Sequence, residues 1–167
     1  LAAWADVVTF DFENVPAAAA RILAQQTVVH PPEEALAIAQ DRLSEKTLFW
    51  ELGIPAPTFS TVDSLEELHD AALRVGLPAV LKTRRLGYDG KGQQMLHNAA
   101  DLEPAWQALG AVPLILEEFV PFEREVSVLA VRGRGGETAF YPLVDNQHRD
   151  GMLRLSQAPF TAPALEQ

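Results

Sequence analysis

The sequence predicts an α/β protein with an α+β unit at its centre, on three observations. Two short β-rich runs, residues 6–12 and 27–30, flank a helical stretch at 17–25, as in a parallel βαβ unit. Strand and helix patterns then alternate through residues 64–119 around one long glycine-bearing loop. Apolar residues make up 48% of the chain, enough for a core, yet no run approaches the ~20 residues of a membrane-spanning helix.

Taken in order, Val7, Val8, Phe10 and Phe12 make residues 6–12 a buried strand. Glu13-Asn14-Val15-Pro16 turns into the first helix, with Pro16 suited to its opening turn and Glu13 and Asn14 either lining a ligand crevice or capping the helix. Thr27-Val28-Val29-His30 is a second strand closed by Pro31-Pro32, and the pair reads as the tail of an open sheet. Residues 33–40 and 44–52 have helical spacing, and Gly53-Ile54-Pro55 stops the second helix. Ser64-Leu65-Glu66-Glu67 is a capping-box pattern opening a helix to about Val75. Strands follow at 78–83, 94–96 and 113–119, with a helix at 101–109. Residues 125–131 alternate and pair in expectation with 138–144 through the turn Arg132-Gly133-Arg134-Gly135-Gly136. Asp145 and Asp150 are read as flanking a turn and His148 as a solvated residue within it.

Net charge is −10, from 23 acidic and 13 basic residues, which repels a phosphate backbone and argues against nucleic-acid binding. The absence of cysteine excludes disulfides and thiolate metal sites and fits a reducing cytoplasm. The N-terminal residues lack the basic start and apolar stretch of a signal peptide, and the chain is expected to be a piece of a longer enzyme. Against the acidic background, Lys82, Arg84, Arg85 and Lys91 form an island of positive charge.

That island belongs to the strongest motif, Lys82-Thr-Arg-Arg-Leu-Gly87-Tyr88-Asp89-Gly90-Lys91-Gly92-Gln93. A strand delivers a lysine, glycines follow, and a strand returns. Glycines let backbone N–H groups approach phosphate oxygens, and lysines neutralise their charge. Alone, such a loop is more readily an ordinary mobile hairpin with solvated lysines, and it is not a Walker loop. A second feature raises its standing: Leu114-Ile-Leu-Glu117-Glu118-Phe119-Val120-Pro121 runs into Glu123-Arg124-Glu125. Strand-end backbone groups can read an adenine edge, and a carboxylate can accept from ribose hydroxyls.

These runs, together with Asp11-Phe-Glu-Asn-Val-Pro16, Gln40-Asp-Arg42-Leu-Ser-Glu-Lys46, Tyr141-Pro-Leu-Val-Asp-Asn146 and His148-Arg-Asp-Gly-Met-Leu-Arg154, resemble the N5-carboxyaminoimidazole ribonucleotide synthetases of the ATP-grasp superfamily over nearly the whole chain. The resemblance implies an ATP-grasp fold fragment: residues 1–41 the tail of an N-terminal domain, 42–63 a connecting helix and linker, 64–119 a small α+β lid, and 120–167 the start of a C-terminal domain. It implies ATP-dependent carboxylation of 5-aminoimidazole ribonucleotide with bicarbonate, through carboxyphosphate, in a cytoplasmic homodimer of purine biosynthesis with no membrane or nucleic-acid partner. It puts Arg42 and Lys82 on the ATP phosphates and residues Gly87, Tyr88, Asp89, Gly90, Lys91, Gly92 and Gln93 over them as a lid; because Gly87, Gly90 and Gly92 permit conformations closed to other residues, residues 86–92 are expected to be mobile without nucleotide. Glu117, Glu118, Phe119 and Val120 are to hold adenine, Glu125 the ribose, and His148 is to lie near the nucleotide. Tyr88, Asp89 and Lys91 are to face the aminoimidazole ribonucleotide, with Lys82, Lys91 and Asp89 taking part in catalysis. The family's glycine-rich first turn is expected before Leu1 and its Mg²⁺-binding acids beyond Gln167, so this stretch alone is expected to carboxylate nothing. Other ATP-grasp ligases, of the glycinamide ribonucleotide transformylase or biotin carboxylase kind, and a non-catalytic nucleotide-binding module are the alternatives.

Overall fold

The computed structural model describes residues 2–88, 90–110, 112–149 and 151–161, which divide into two compact units, 1–88 with 92–119 and 89–91 with 120–167.

In the first unit, β1 (Val7–Val8) and β2 (Val28–Val29) pair in parallel, Val7 opposite Val28, with α1 (Ala17–Ala24) as the crossover. The pairing is shorter than the apolar run suggests. The His30 N–H still donates to Val8 O at 2.9 Å, but Pro31 and Pro32 follow and have no N–H to extend the ladder. Next come α2 (Glu33–Ala39) and α3 (Arg42–Glu51). The second of these starts earlier than its apolar spacing predicts, because Asp41 caps it by accepting the Leu43 N–H at 2.9 Å.

The rest of this unit is a four-stranded antiparallel sheet in the order β3 (Phe59–Val62), β6 (Leu114–Glu118), β4 (Ala79–Thr83), β5 (Gln93–Leu96). The strand β3 falls in the stretch read as linker. Phe59-Ser-Thr-Val is too short to declare itself alone and becomes a strand by pairing, Thr61 opposite Ile115. Helices α4 (Leu65–Val75) and α5 (Leu102–Leu109) cover one face. There Val62, Leu68, Ala71, Leu81, Leu96, Leu102, Leu114 and Leu116 make the core. At the start of α4 the Ser64 hydroxyl accepts the Glu67 N–H, but the Glu67 carboxylate reaches back to the Asp63 N–H instead of closing the box on Ser64. A reciprocal box forms before α5, between Asn98 and Asp101.

The second unit corrects the expected hairpin. Residues 125–131 are two strands: β7 (Glu125–Ser127), and β8 (Ala130–Arg132) after a break at Val128-Leu129. Only β8 pairs with β9 (Thr138–Phe140), through a turn in which the Gly133 N–H donates to Glu137 O. The strand β7 pairs instead with β10 (Val144–Arg149), which also pairs with β11 (Met152–Gln157). Asp145 lies on β10, and so does His148, which the sequence alone places in the turn; the turn is at Gly151, whose φ of 73° suits glycine. Asp150 lies outside the described residues. The alternation of 125–131 could not reveal that Asn146 outcompetes the expected partner: it faces Glu125 directly, and its amide donates to Ser127 Oγ at 2.6 Å.

No helix among the described residues is long and apolar enough to cross a membrane.

Candidate functional site

In the first unit, register decides which side chains meet. Lys82 lies opposite Ile115 and Val80 opposite Glu117 on β4 and β6. Directly opposed residues share a face, so Lys82, Val80, Ile115 and Glu117 lie on the face away from the α4–α5 core. Lys82 Nζ reaches Glu117 Oε2 at 2.8 Å, and Lys46 Nζ, from α3, reaches the same oxygen at 3.2 Å. Glu117 is 4% exposed, and its Oε1 is buried with no protein hydrogen-bond partner.

Beyond Lys82 the strand opens into the glycine turn. Leu86 takes φ 63°, and Gly90 and Gly92 both take φ 74°. The Thr83 N–H donates to Gly92 O at 2.8 Å, and a Cβ on Gly92 would stand 2.7 Å from Thr83 Oγ1. Close approach and positive φ together require glycine there. Gln93 then starts β5 opposite Lys82.

The base of this turn is tied to the N-terminal helices by charge. Arg84 grips Asp41 bidentately, Nε to Oδ1 at 3.1 Å and Nη2 to Oδ2 at 2.8 Å. Burial pushes the Asp41 carboxyl upward, but the Arg84 guanidinium and the Leu43 amide outweigh it, so its pKa lies below the ordinary value. Arg85 donates to Gln40 Oε1 at 2.7 Å, and the buried Gln40 amide donates to the carbonyls of Glu13 and Val15. Arg42, Arg84, Arg85, Glu13 and Glu45 line a cleft of about 130 Å³ here. Asp41 is therefore Arg84's partner and leaves Arg42 facing the cleft.

Of the expected adenine-binding residues, Glu118 accepts the Thr58 N–H at 3.2 Å, and the Phe119 N–H donates to Pro78 O at 3.3 Å. Tyr88 and Lys91 are exposed, and Asp89 lies outside the described residues.

In the second unit, Glu125 on β7 lies opposite Asn146, and the bulge between Gln147 and His148 brings His148 Nδ1 within 3.3 Å of Glu125 Oε2. These two residues, with Phe122, Glu123, Arg124 and Asp145, line a cleft of about 340 Å³. Arg124 donates to Asp145 Oδ1 at 2.8 Å and stacks 4.8 Å from the centre of the Phe160 ring. The Arg124 hydrogen bond holds the Asp145 carboxyl below its ordinary pKa, against an opposing push from burial. No cluster of three or more His, Asp or Glu placed to hold a metal occurs among the described residues.

The family of domains described as the ATP-grasp domain matches residues 47–167, and the ribonucleotide synthetase preATP-grasp domain matches residues 1–40. The chain belongs to the ATP-grasp family. It is 57% identical over 153 residues to the N5-carboxyaminoimidazole ribonucleotide synthase of Pseudomonas aeruginosa, covering 92% of this chain and 42% of that protein. The crystal structure of N5-carboxyaminoimidazole ribonucleotide synthetase from Thermus thermophilus superposes with a TM-score of 0.87 at 53% identity, covering 97% of this chain and 44% of that one. The Aspergillus clavatus synthase in complex with ADP and 5-aminoimidazole ribonucleotide superposes with a TM-score of 0.85 at 25% identity, covering 96% and 42%. The chain thus spans less than half the length of these relatives.

Within this ATP-grasp chain, reading the motifs singly misses Lys46. It stands four residues after Arg42 on α3, a spacing that puts both on one helix face, and that was the available signal. Arg124 and Asp145 are likewise missed, since their meeting depends on which strand β10 pairs with.

Proposed function

We propose that this chain supplies nucleotide-binding elements for the ATP-dependent carboxylation of 5-aminoimidazole ribonucleotide with bicarbonate, yielding N5-carboxyaminoimidazole ribonucleotide, ADP and phosphate. The observation that carries the reading is the convergence of Lys82 and Lys46 on Glu117 at the foot of the glycine turn. Charge held in a partly buried place beside a close-packed backbone turn suits a polyphosphate. The relatives' names supply the substrate.

In this reading Lys82 and Arg42 bind phosphate oxygens, and Gly87, Gly90, Gly92 and Gln93 belong to the covering turn. Glu117 to Val120 hold adenine and Glu125 accepts from ribose hydroxyls, with His148 paired to it. Tyr88, Asp89 and Lys91 face the aminoimidazole ribonucleotide. A bicarbonate oxygen attacks the γ-phosphorus and ADP leaves; the exocyclic amine then attacks the carboxyphosphate carbon, loses a proton and expels phosphate. Lys82 and Lys91 stabilise the negative charge of the phosphoryl groups by position, the main contribution a protein makes to such transfers. The described residues offer no metal cluster, so the Mg²⁺ that the family implies enters no step here. A cytoplasmic homodimer completes the proposal.

The test grafts this sequence in place of the matching segment of the Pseudomonas relative. Phosphate release should depend on both bicarbonate and aminoimidazole ribonucleotide. Lys82→Ala should weaken ATP binding by about 1.5–3 kcal/mol, the worth of a charge-assisted hydrogen bond. A folded graft whose ATP affinity ignores Lys82→Ala, or whose turnover ignores the ribonucleotide, overturns the reading.

A further inference from the structure

We propose that Lys46 is a positioning residue of the nucleotide site: it keeps the Glu117 carboxylate paired when Lys82 leaves that carboxylate for a phosphate oxygen. The inference rests on the ATP-binding reading above and assigns it a residue.

Both ammonium groups crowd one oxygen, Oε2, while Oε1 of the same buried carboxylate has no protein partner. One ammonium suffices to neutralise one carboxylate. A second on the same oxygen adds repulsion between the two cations. The arrangement is wasteful if both lysines serve only the fold. It becomes economical if one of them is only resting there.

The two lysines are not equivalent. The Lys82 side chain is 21% exposed and sits on β4 beside Thr83, where the glycine turn begins. The Lys46 side chain is 13% exposed and sits within α3, one turn from Arg42. An ammonium on a flexible four-carbon stem can rotate from one anion to another. If Lys82 did so alone, it would strand a buried carboxylate without a counter-charge, which is strongly unfavourable. With Lys46 in place, Lys82 exchanges one charge-assisted contact for another, and Glu117 stays paired.

The test is calorimetric titration of ATP into the graft described above, its Lys46→Met, Lys46→Arg and Glu117→Gln variants, and the Lys46→Met/Glu117→Gln double variant, with the melting temperature of each. Methionine keeps the unbranched stem and removes the charge. Lys46→Met should weaken ATP binding about tenfold or more, as loss of a charge-assisted contact does, and Lys46→Arg should restore much of it. In the Glu117→Gln background, where no anion can be stranded, the same Lys46→Met change should alter affinity by less than about threefold, as expected when the coupling is gone. A Lys46 that is merely structural would leave affinity unchanged in both backgrounds whatever it does to the melting temperature, and that overturns the proposal.

Should Lys46→Met fail to fold, ammonium NMR of the wild-type graft decides. ATP should shift the Lys82 signal and leave that of Lys46; displacement of both sinks the idea. A folded wild-type graft that binds no ATP removes the ATP-binding reading itself. A Lys82→Ala effect without a Lys46→Met effect removes the Lys46 inference alone.

Discussion

Across β3, β6, β4 and β5 the apolar side chains of Val62, Leu81, Leu96, Leu114 and Leu116 are fully buried, whereas on β7 to β11 Val126, Val131, Phe140, Leu153 and Leu155 are all more than a third exposed. The side chain that is buried in that second set of strands is Asp145, held by Arg124. Its neighbours form a polar ladder: the Ser156 hydroxyl donates to Asn146 Oδ1 at 2.9 Å, and the Asn146 amide donates to Ser127 Oγ. Alternating apolar residues occur in both regions. The difference lies in the covering layer, since α4 and α5 lie on the first sheet and no helix is described in residues 120–161. Alternation therefore predicts that a strand forms and says little about whether its apolar face is covered.

The largest expected effect tests that contrast directly. Leu116→Ala should destabilise the chain by about 2–5 kcal/mol, because it leaves a cavity in a closed core. Val131→Ala, at a side chain 56% exposed, should change stability by no more than about 0.5 kcal/mol. Urea unfolding of both variants reads the difference, and equal costs would show that a cover over β8 has been overlooked.

A smaller effect is expected at the glycine turn of the first unit. Gly92→Ala forces an L side chain into φ 74° and against Thr83 Oγ1, so it should cost about 1–2 kcal/mol. Gly136→Ala in the second unit shares the positive φ, at 90°, but its Cβ would meet nothing within 4 Å. It should cost less than Gly92→Ala, and the reverse order would mean that backbone conformation alone sets the penalty.

The smallest effect sharpens the polar side of the comparison. Asp145, lowered by its Arg124 hydrogen bond, and Asp41, lowered by Arg84 and the Leu43 amide despite its burial, each titrate below their unfolded value. A carboxyl depressed in this way favours the folded state above its unfolded pKa of about 3.9, and the contribution is lost as pH falls through the lower folded value. Arg124→Ala should therefore lower the urea midpoint at pH 7 and narrow its gap from wild type as pH falls below about 4, where the unfolded carboxyl also binds its proton. A gap independent of pH would assign Arg124's role to its stacking on Phe160 instead.

Much of the four-stranded unit was legible in advance because its signals are local. Ser64 caps a helix whose apolar residues recur on one face, and Gly90 and Gly92 mark a turn between Lys82 and Gln93. The Phe59–Val62 strand was not legible, because four residues acquire their meaning only opposite Leu114 to Glu117. Of the candidate site, Lys82, Glu117, Glu125 and His148 could be named from motifs, yet nothing local said that Lys82 would rest on Glu117 or His148 beside Glu125.

The sequence by itself determined the Ser64 cap of α4 and the glycine turn, since each depends on residues within a turn or two of one another, and it carried the α/β class and the motif order by which the ATP-grasp family is recognised, since both are patterns along the chain. The tertiary structure alone decided that β7 pairs with β10 and not with β9, that Asp145 is buried against Arg124, and that Lys46 shares Glu117 with Lys82. Those outcomes depend on register between segments distant in the chain. A one-residue shift of pairing there would send every side chain to the opposite face.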